Sequence, residues 1–403
     1  MDTVVVQMTG RGVGAIAVVL VAGRGAEAIA AGMSRSQRAR NLAIGETAHT
    51  VLHHPESRQQ LDDVVVVRLS EDEFEIHLHG GIAVVSAVLN ALQAAGATVL
   101  TPEESLQRGV LGEGIGAEVL VALAGAHTMS AARLLGTQSH EGLAGFINKW
   151  LAWLPGKSAN DLWRLHSAMQ WLLARSAALD NLIRPARIAI VGPPNAGKST
   201  LANALLGRPI SITSDIAGTT RDWVDAEAIF TTLSGEVAAP VLLVDTAGIR
   251  DTSDVLEQES IARSHEQAAL ADVVLLVFDG TVAMSGADCE LLAAYKNQPL
   301  VVVNNKSDAP HCGATDIRQR AAQAIEISAL KRTGIDQLMQ RVLELLDLHE
   351  LDSTEPYAFT PRQRGLVEEI AISTEPRRVS ELMEGILRNP MKLPSGQAGR
   401  AAR

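Results

Sequence analysis

Three short stretches carry residue types that handle phosphate and a purine base. GPPNAGKST (192–200) matches the spacing G-x-x-x-x-G-K-[ST] with Gly192, Gly197, Lys198 and Ser199. In that pattern, successive backbone amides, those of Asn195, Ala196 and Thr200 included, face a β-phosphate at a helix N-terminus. Lys198 bridges the β- and γ-phosphates, and the Ser199 hydroxyl reaches Mg²⁺. Asp245, Thr246, Ala247 and Gly248 form D-T-A-G, where Asp245 can hold Mg²⁺ through water and the Gly248 amide can sense the γ-phosphate. Asn305, Lys306 and Asp308 give N-K-x-D. A carboxylate at Asp308 accepts from the N1–H and the exocyclic amine of guanine together. Adenine has no such donor pair, so the motif selects guanine. Ser328, Ala329 and Leu330 follow where a backbone amide would meet the guanine O6. A lone phosphate loop can arise by chance in a Gly-rich turn; four motifs in this order point to GTP and GDP.

Two positions need further explanation. A cradle of amides has no need of the carboxamide at Asn195. Ras-like GTPases orient the attacking water with a glutamine just after D-x-x-G, and here that position is Ile249. Glu257, twelve positions beyond Asp245, is a candidate for that task. Its plainer reading is a first-turn glutamate favoured by the helix dipole, and spacing alone favours the plainer reading.

The elements that must position these residues are legible around them. From Arg187 onward, strand-like runs RIAIVG (187–192), VLLVDTAG (241–248), DVVLLVFDG (272–280), LVVVNNKSD (300–308) and AIEISAL (324–330) alternate with helical stretches starting near Lys198, Glu257, Gly286 and Gly334. This alternation predicts a mostly parallel sheet with helices on both faces. Residues 1–105 mix strand and helix: 63–69 reads as a strand and 82–95 as a helix. Residues 106–185 read as helical, with a single helix over 158–183 presenting Leu162, Leu165, Met169, Leu172 and Leu179 on one face. Trp163 and Trp171 are expected in the core or an interface rather than around a ligand. A linker over 351–356 precedes helices over 361–372 and 376–387, each opened by a proline at a tolerated first-turn position. The end, 394–403, is expected to be unstructured.

Composition sets the limits. The chain has 403 residues, enough for two or three domains. Aromatics make up 3% and hydrophobics 47%, so the cores must be Ala, Val and Leu. A net charge of −11 argues against a generally basic, nucleic-acid-coating surface but not against a local basic groove. Cys289 and Cys312 give no disulfide framework, which fits a reducing cytoplasm. The apolar run 13–22 is too short to span a bilayer and reads as a buried strand, so no membrane segment is expected.

GPPNAGKST, SDIAGTTRD (214–222), DTAGIRDTSDVLEQESI (245–261) and NKSD together resemble the tRNA-modification GTPases of the MnmE (TrmE) type. The opening MDTVVVQMTGRGVGAI, EDEFEIHLHGG (71–81) and YAFTPRQR (357–364) extend the resemblance to both ends. It implies a multidomain α/β and α+β chain. An α+β, folate-binding-like, dimerising domain (1–105) would come first. A helical domain in two segments (106–185 and 350–403) would carry a Ras-like P-loop GTPase domain (186–349) as an insert.

Roles follow residue by residue. Asn195, with Ser214, Ile216 and Thr219, would ligate K⁺, which acts as a cationic finger when two GTPase domains dimerise. Thr220 would join Ser199 and Asp245 on Mg²⁺. Glu257 would orient the water, which accounts for the apolar Ile249. The catalytic set is then Glu257, Lys198 and Thr220. The implied partners are a second copy of the chain, an FAD-dependent modification protein and, indirectly, tRNA.

The chain also departs from the family's pattern. The family's terminal C-I-G-K cysteine motif has no counterpart in GRAAR. Of the folate contacts Glu75 is kept, while Ala17 and Val18 stand near a family arginine and VLGEGIGAEVL (110–120) lacks a family lysine. Loss of these cations argues against folate, and His77 and His79 then read as supports of the fold. These departures keep an alternative open, a GTP-switched assembly or scaffold module, for example in ribosome assembly, outside tRNA modification.

Overall fold

A computed structural model describes residues 2–10, 14–112, 114–207, 226–244, 268–310 and 323–388. The readings made for residues 214–222, 245–261, Cys312 and 394–403 lie outside them.

The chain forms two compact units. One comprises 1–126, 134–174 and 354–403, and the other 127–133 and 175–353. The first begins with β1 (Val4–Gln7), β2 (Ile16–Ala22), α1 (Ala26–Met33), α2 (Gln37–Arg40), β3 (Thr47–His53), β4 (Gln60–Arg68), β5 (Glu73–His79), α3 (Ile82–Ala94) and β6 (Thr98–Leu100). The strands form one sheet in the order β3-β4-β5-β2-β1-β6. Only the β1–β6 pair is parallel. Alternation builds this sheet. Val64, Val66, Phe74, Ile76 and Leu78 turn inward against Ile29 and Met33 of α1 and Val85, Val88 and Leu92 of α3. Residues 16–22 of the apolar run form β2, as expected.

Helices follow: α4 (Pro102–Gln107), α5 (Ile115–Ala124), α6 (Met129–Gln138), α7 (Leu143–Trp153), α8 (Trp163–Ser176) and α9 (Leu179–Ile183). The expected single helix over 158–183 is in fact three pieces. Ser158 and Asp161 cap each other across a separate 3₁₀ turn at Ala159–Asp161, and a break at 177–178 divides α8 from α9. The predicted apolar face survives: Leu162, Leu165, Met169, Leu172 and Leu179 are all fully buried. Trp163 and Trp171 are not in the core. They lie outside that face and are exposed.

Beyond the second unit come α13 (Pro361–Ile372) and α14 (Pro376–Leu387). Each starts on its predicted proline, and Thr360 and Gln363 close a capping box at the first. The second and third segments of the first unit meet at Gln138, which is fully buried. Its Nε2 donates to the Leu134 and Glu355 carbonyls at 2.9 and 3.2 Å, and its Oε1 accepts from the Leu143 and Tyr357 amides at 3.0 and 2.9 Å. Gln138→Leu would leave two buried amides unpaired. Each such loss costs about 1–3 kcal/mol, so urea unfolding of this unit should show a loss of at least about 2 kcal/mol.

The second unit holds β7 (Ala186–Val191), α10 (Lys198–Leu206), β8 (Ala226–Thr231), β9 (Ala238–Val244), β10 (Val273–Asp279), α11 (Gly286–Tyr295), β11 (Leu300–Asn305), β12 (Ile325–Glu326) and α12 (Ile335–Leu345). Its sheet runs β12-β11-β10-β7-β9-β8, parallel except for β8, which is antiparallel to β9. The predicted parallel α/β sheet is present; the antiparallel edge strand β8 was not foreseen. Val274, Leu276 and Phe278 of β10 pack with Ala189, Val191 and Val302 in a layer that also holds Tyr295. The C-terminal ends of β7, β10 and β11 thereby lie together, where a doubly wound sheet binds ligand.

Candidate functional site

The phosphate loop springs from the end of β7 and closes on the first turn of α10. Gly192 lies against β10, and a Cβ there would collide with the Val277 carbonyl. Gly197 takes φ +90, and a Cβ there would strike the Asn305 amide group. Both glycines are therefore required by close approach. Asn195 is a non-glycine residue at φ +61, and it is exposed. Asparagine tolerates this left-handed backbone better than most residues, so the residue suits the turn of the loop. The Lys198 ammonium donates to the Gly192 and Pro193 carbonyls at 2.9 Å each, inside the loop. Ser199 and Thr200 sit in the first turn of α10, Ser199 partly buried and Thr200 exposed.

Asn305 joins this loop to the base-recognition side. It is buried at the end of β11. Its Nδ2 donates to the Ala196 carbonyl at 2.9 Å, and its Oδ1 accepts from the Ala329 amide at 3.0 Å. One side chain thus ties 192–200 to 328–330, so the motif asparagine acts as a brace between the two loops. The Ala329 amide is engaged by Asn305 in this structure. Leu330 is 76% exposed, consistent with a rim position.

Asp308 is anchored by Ser328, whose hydroxyl donates to its Oδ1 at 2.6 Å. The Ser328 hydroxyl also accepts from the Lys331 amide at 3.1 Å. The Ser328 hydrogen bond is the main reason that the Asp308 carboxyl is held below the ordinary aspartate value, with Lys331 adding to it. Lys306, at φ +66, points its ammonium at Asp279 Oδ2, 2.6 Å away.

Asp279 is a residue that sequence reasoning missed. Burial opposes its ionisation, but hydrogen bonds from Lys306 and from the Thr281 hydroxyl and amide outweigh this and lower its pKa. Its signal was the FDG that closes β10. Its use depends on the parallel register that sets Asp279 opposite Asn305.

The described residues therefore bring together Gly192, Asn195, Ala196, Gly197, Lys198, Ser199, Thr200, Asn305, Lys306, Asp308, Ser328, Ala329 and Leu330 around the C-terminal edge of one sheet. Ser214, Ile216, Thr219, Thr220, Asp245, Thr246, Ala247, Gly248 and Glu257 lie outside the described residues. Glu75 belongs to the other unit, on β5, where His77 Nε2 is 3.0 Å from its carboxylate. His79 Nδ1 lies 2.7 Å from Asp62, so these histidines are engaged with neighbouring carboxylates. Among the described residues no group of three or more His, Cys, Asp or Glu side chains could hold a metal ion. No helix among them is long and apolar enough to cross a membrane.

The chain was compared with known proteins. A family model described as "GTP-binding protein TrmE N-terminus" matches residues 3–112, and one described as "50S ribosome-binding GTPase" matches 187–306. The tRNA modification GTPase MnmE of Lactococcus lactis subsp. cremoris is 33% identical over 91% of this chain and 86% of its own. The protein of the same name from Parasynechococcus marenigrum is 34% identical over 71% of this chain and 68% of its own. Among solved structures, an Aquifex aeolicus Era variant bound to GDP.AlF4- is 32% identical over 43% of this chain and 59% of its own, at a TM-score of 0.31.

Proposed function

Since the chain belongs to the MnmE family of tRNA modification GTPases, we propose that it binds GTP at the 192–200 loop, hydrolyses it to GDP and phosphate, and serves wobble-uridine modification of tRNA in the cytoplasm. The observation that carries this reading is the Asn305 brace, which holds a phosphate loop and a guanine-selective loop in one rigid frame.

The chain's own groups divide the work. The 195–200 amides and the α10 N-terminus bind phosphate oxygens, and Lys198 moves from loop carbonyls to the β- and γ-phosphates. Asp308 reads the base. Glu257 orients the attacking water, replacing the glutamine that Ile249 cannot mimic. Mg²⁺ would be held by Ser199, Asp245 and Thr220. For K⁺, a neutral carboxamide at the exposed Asn195, taken with the backbone carbonyls that the family resemblance assigns at Ser214, Ile216 and Thr219, is a donor set that suits a weakly charged, oxygen-seeking cation. When bound, that ion supplies positive charge against the charge that builds on the phosphoryl oxygens.

Two GTPase domains from two copies would meet across their nucleotides, and an FAD-dependent protein would complete the modification complex. The assembly-module reading is not better supported: the relatives matched over most of the chain are named for tRNA modification, and the ribosome-binding description covers just 187–306.

GTP turnover measured in K⁺ and in Na⁺ tests the cation role. Turnover should be at least about tenfold faster in K⁺, in line with the typical cost of about 2.7–4 kcal/mol for losing one preorganised charge-stabilising group. Equal rates would remove Asn195 from the mechanism. Wobble-uridine modification in tRNA from a deletion strain tests the pathway, and unchanged modification would remove it.

A further inference from the structure

Four of the chain's five tryptophans, Trp150, Trp153, Trp163 and Trp171, fall within the helical pair α7–α8. In a chain that is 3% aromatic this is a strong concentration. The rings touch in sequence. Trp171 lies 6.1 Å from Phe146, Phe146 lies 6.4 Å from Trp150, and Trp150 lies 5.2 Å from Trp153. Cations sit on this surface. The Lys157 ammonium is 5.0 Å from the Trp153 ring centre, and the Arg164 guanidinium is 5.3 Å from that of Trp163.

Trp163 and Trp171 are 63% and 43% exposed, whereas the opposite face of α8 is sealed by fully buried leucines. Eight residues of helix separate these two rings by about 12 Å along the axis. Keeping large rings in water forgoes burial that a folding role would exploit. The fold thus gives no reason for Trp163 to be tryptophan.

We propose that this face of α7–α8 is a stacking platform for unpaired bases of RNA, with the phosphates following Lys149, Lys157 and Arg164. Charge favours this occupant over a protein. The net charge of the chain is −11, yet residues 143–174 carry those three cations and one acid. That acid, Asp161, is turned back onto the Ser158 amide and hydroxyl. Exposed rings interleaved with cations are what sequence-tolerant binding of single strands requires, since every base has a π-face. The proposal rests on the tRNA reading only for the identity of the natural RNA: the unpaired bases of a tRNA loop would be the target.

The test uses the full chain and a fluorescently labelled twelve-nucleotide poly(U), with a duplex of equal length as control. Wild type should bind the single strand, more weakly as salt rises, and prefer it to the duplex. Trp163→Ala and Trp171→Ala should each weaken binding about tenfold, and Trp163→Phe should restore most of it, all with unchanged GTP turnover. Binding by the alanine variants equal to wild type, or no single-strand binding by wild type, would overturn the platform. So would a change of oligomeric state in light scattering without a change in RNA binding, which would make the face a protein interface. If the variants lose poly(U) binding while the deletion strain modifies its tRNA normally, the platform stands and the tRNA reading fails.

Discussion

Asp308→Asn is expected to lower GTP affinity by a hundredfold or more and to shift preference toward a xanthosine nucleotide. The carboxylate accepts from two guanine donors at once. Hydrogen bonds to a charged partner contribute about 1.5–3 kcal/mol each, and two of them amount to a factor of roughly 10² to 10⁴. Asparagine places an amine where a second acceptor is needed, so one donor of guanine meets a donor. Xanthine carries a carbonyl where guanine carries the amine, and the mismatch becomes a match. The Ser328 hydrogen bond does not compete with this role, because each carboxylate oxygen offers two lone pairs. It also fixes the pH behaviour. Asp308 is held below the ordinary aspartate value, so its charged form persists in the folded chain to lower pH than a free aspartate's. Guanine preference over adenine should be flat from pH 8 to 5 and decay only as the pH falls through that lowered value. Nucleotide competition assays across pH measure both effects. A loss of preference near pH 6 would remove Asp308 as the reader.

That prediction was reachable from sequence because the nucleotide site is written in contiguous motifs. The Val-rich strands around them were equally plain: β7, β10 and β11 bury nearly every residue, so their runs are apolar apart from Arg187 and the polar residues that close β10 and β11. Strand β8 was harder. AEAIFT turns only Ala228 and Phe230 fully inward while Glu227 and Ile229 face out, the weak alternation of an edge. Asp279 was illegible for another reason. Nothing near FDG says that β10 and β11 pair in the register that sets Asp279 opposite Asn305 and so brings its carboxylate to Lys306. The core half of the expectation for Trp163 and Trp171 failed because helical periodicity reports which face is apolar, not whether a bulky ring beside that face is covered. Gln138 and Glu118 also reach partners more than 200 positions away, and no local pattern encodes such pairs.

Glu118→Ala should be the most destabilising single change in the first unit, by about 3–5 kcal/mol, the usual cost of stranding one member of a buried ion pair. Glu118 is 3% exposed on α5. Its two oxygens take Arg362 as a fork, at 2.7 Å from Nε and 2.6 Å from Nη2. The Gln363 amide donates to it at 2.7 Å and the Thr360 hydroxyl at 3.1 Å. Arg362 in turn donates to the Gly385 and Ile386 carbonyls at the end of α14. One carboxylate therefore fastens α5 to the start of α13 and, through Arg362, to the last turn of α14. Removing it leaves a half-buried guanidinium and a buried carboxamide with donors unmet. The pair itself contributes less than this loss suggests, because both charges gave up their hydration to meet. Replacing both partners at once, Glu118→Leu with Arg362→Met, should therefore cost clearly less than Glu118→Ala alone. Urea unfolding of the three proteins measures the difference. A double variant as unstable as the single one would mean that the guanidinium's grip on α14, rather than the stranded charge, dominates, and that the span of 244 positions from Glu118 to Arg362 is closed by that helix end.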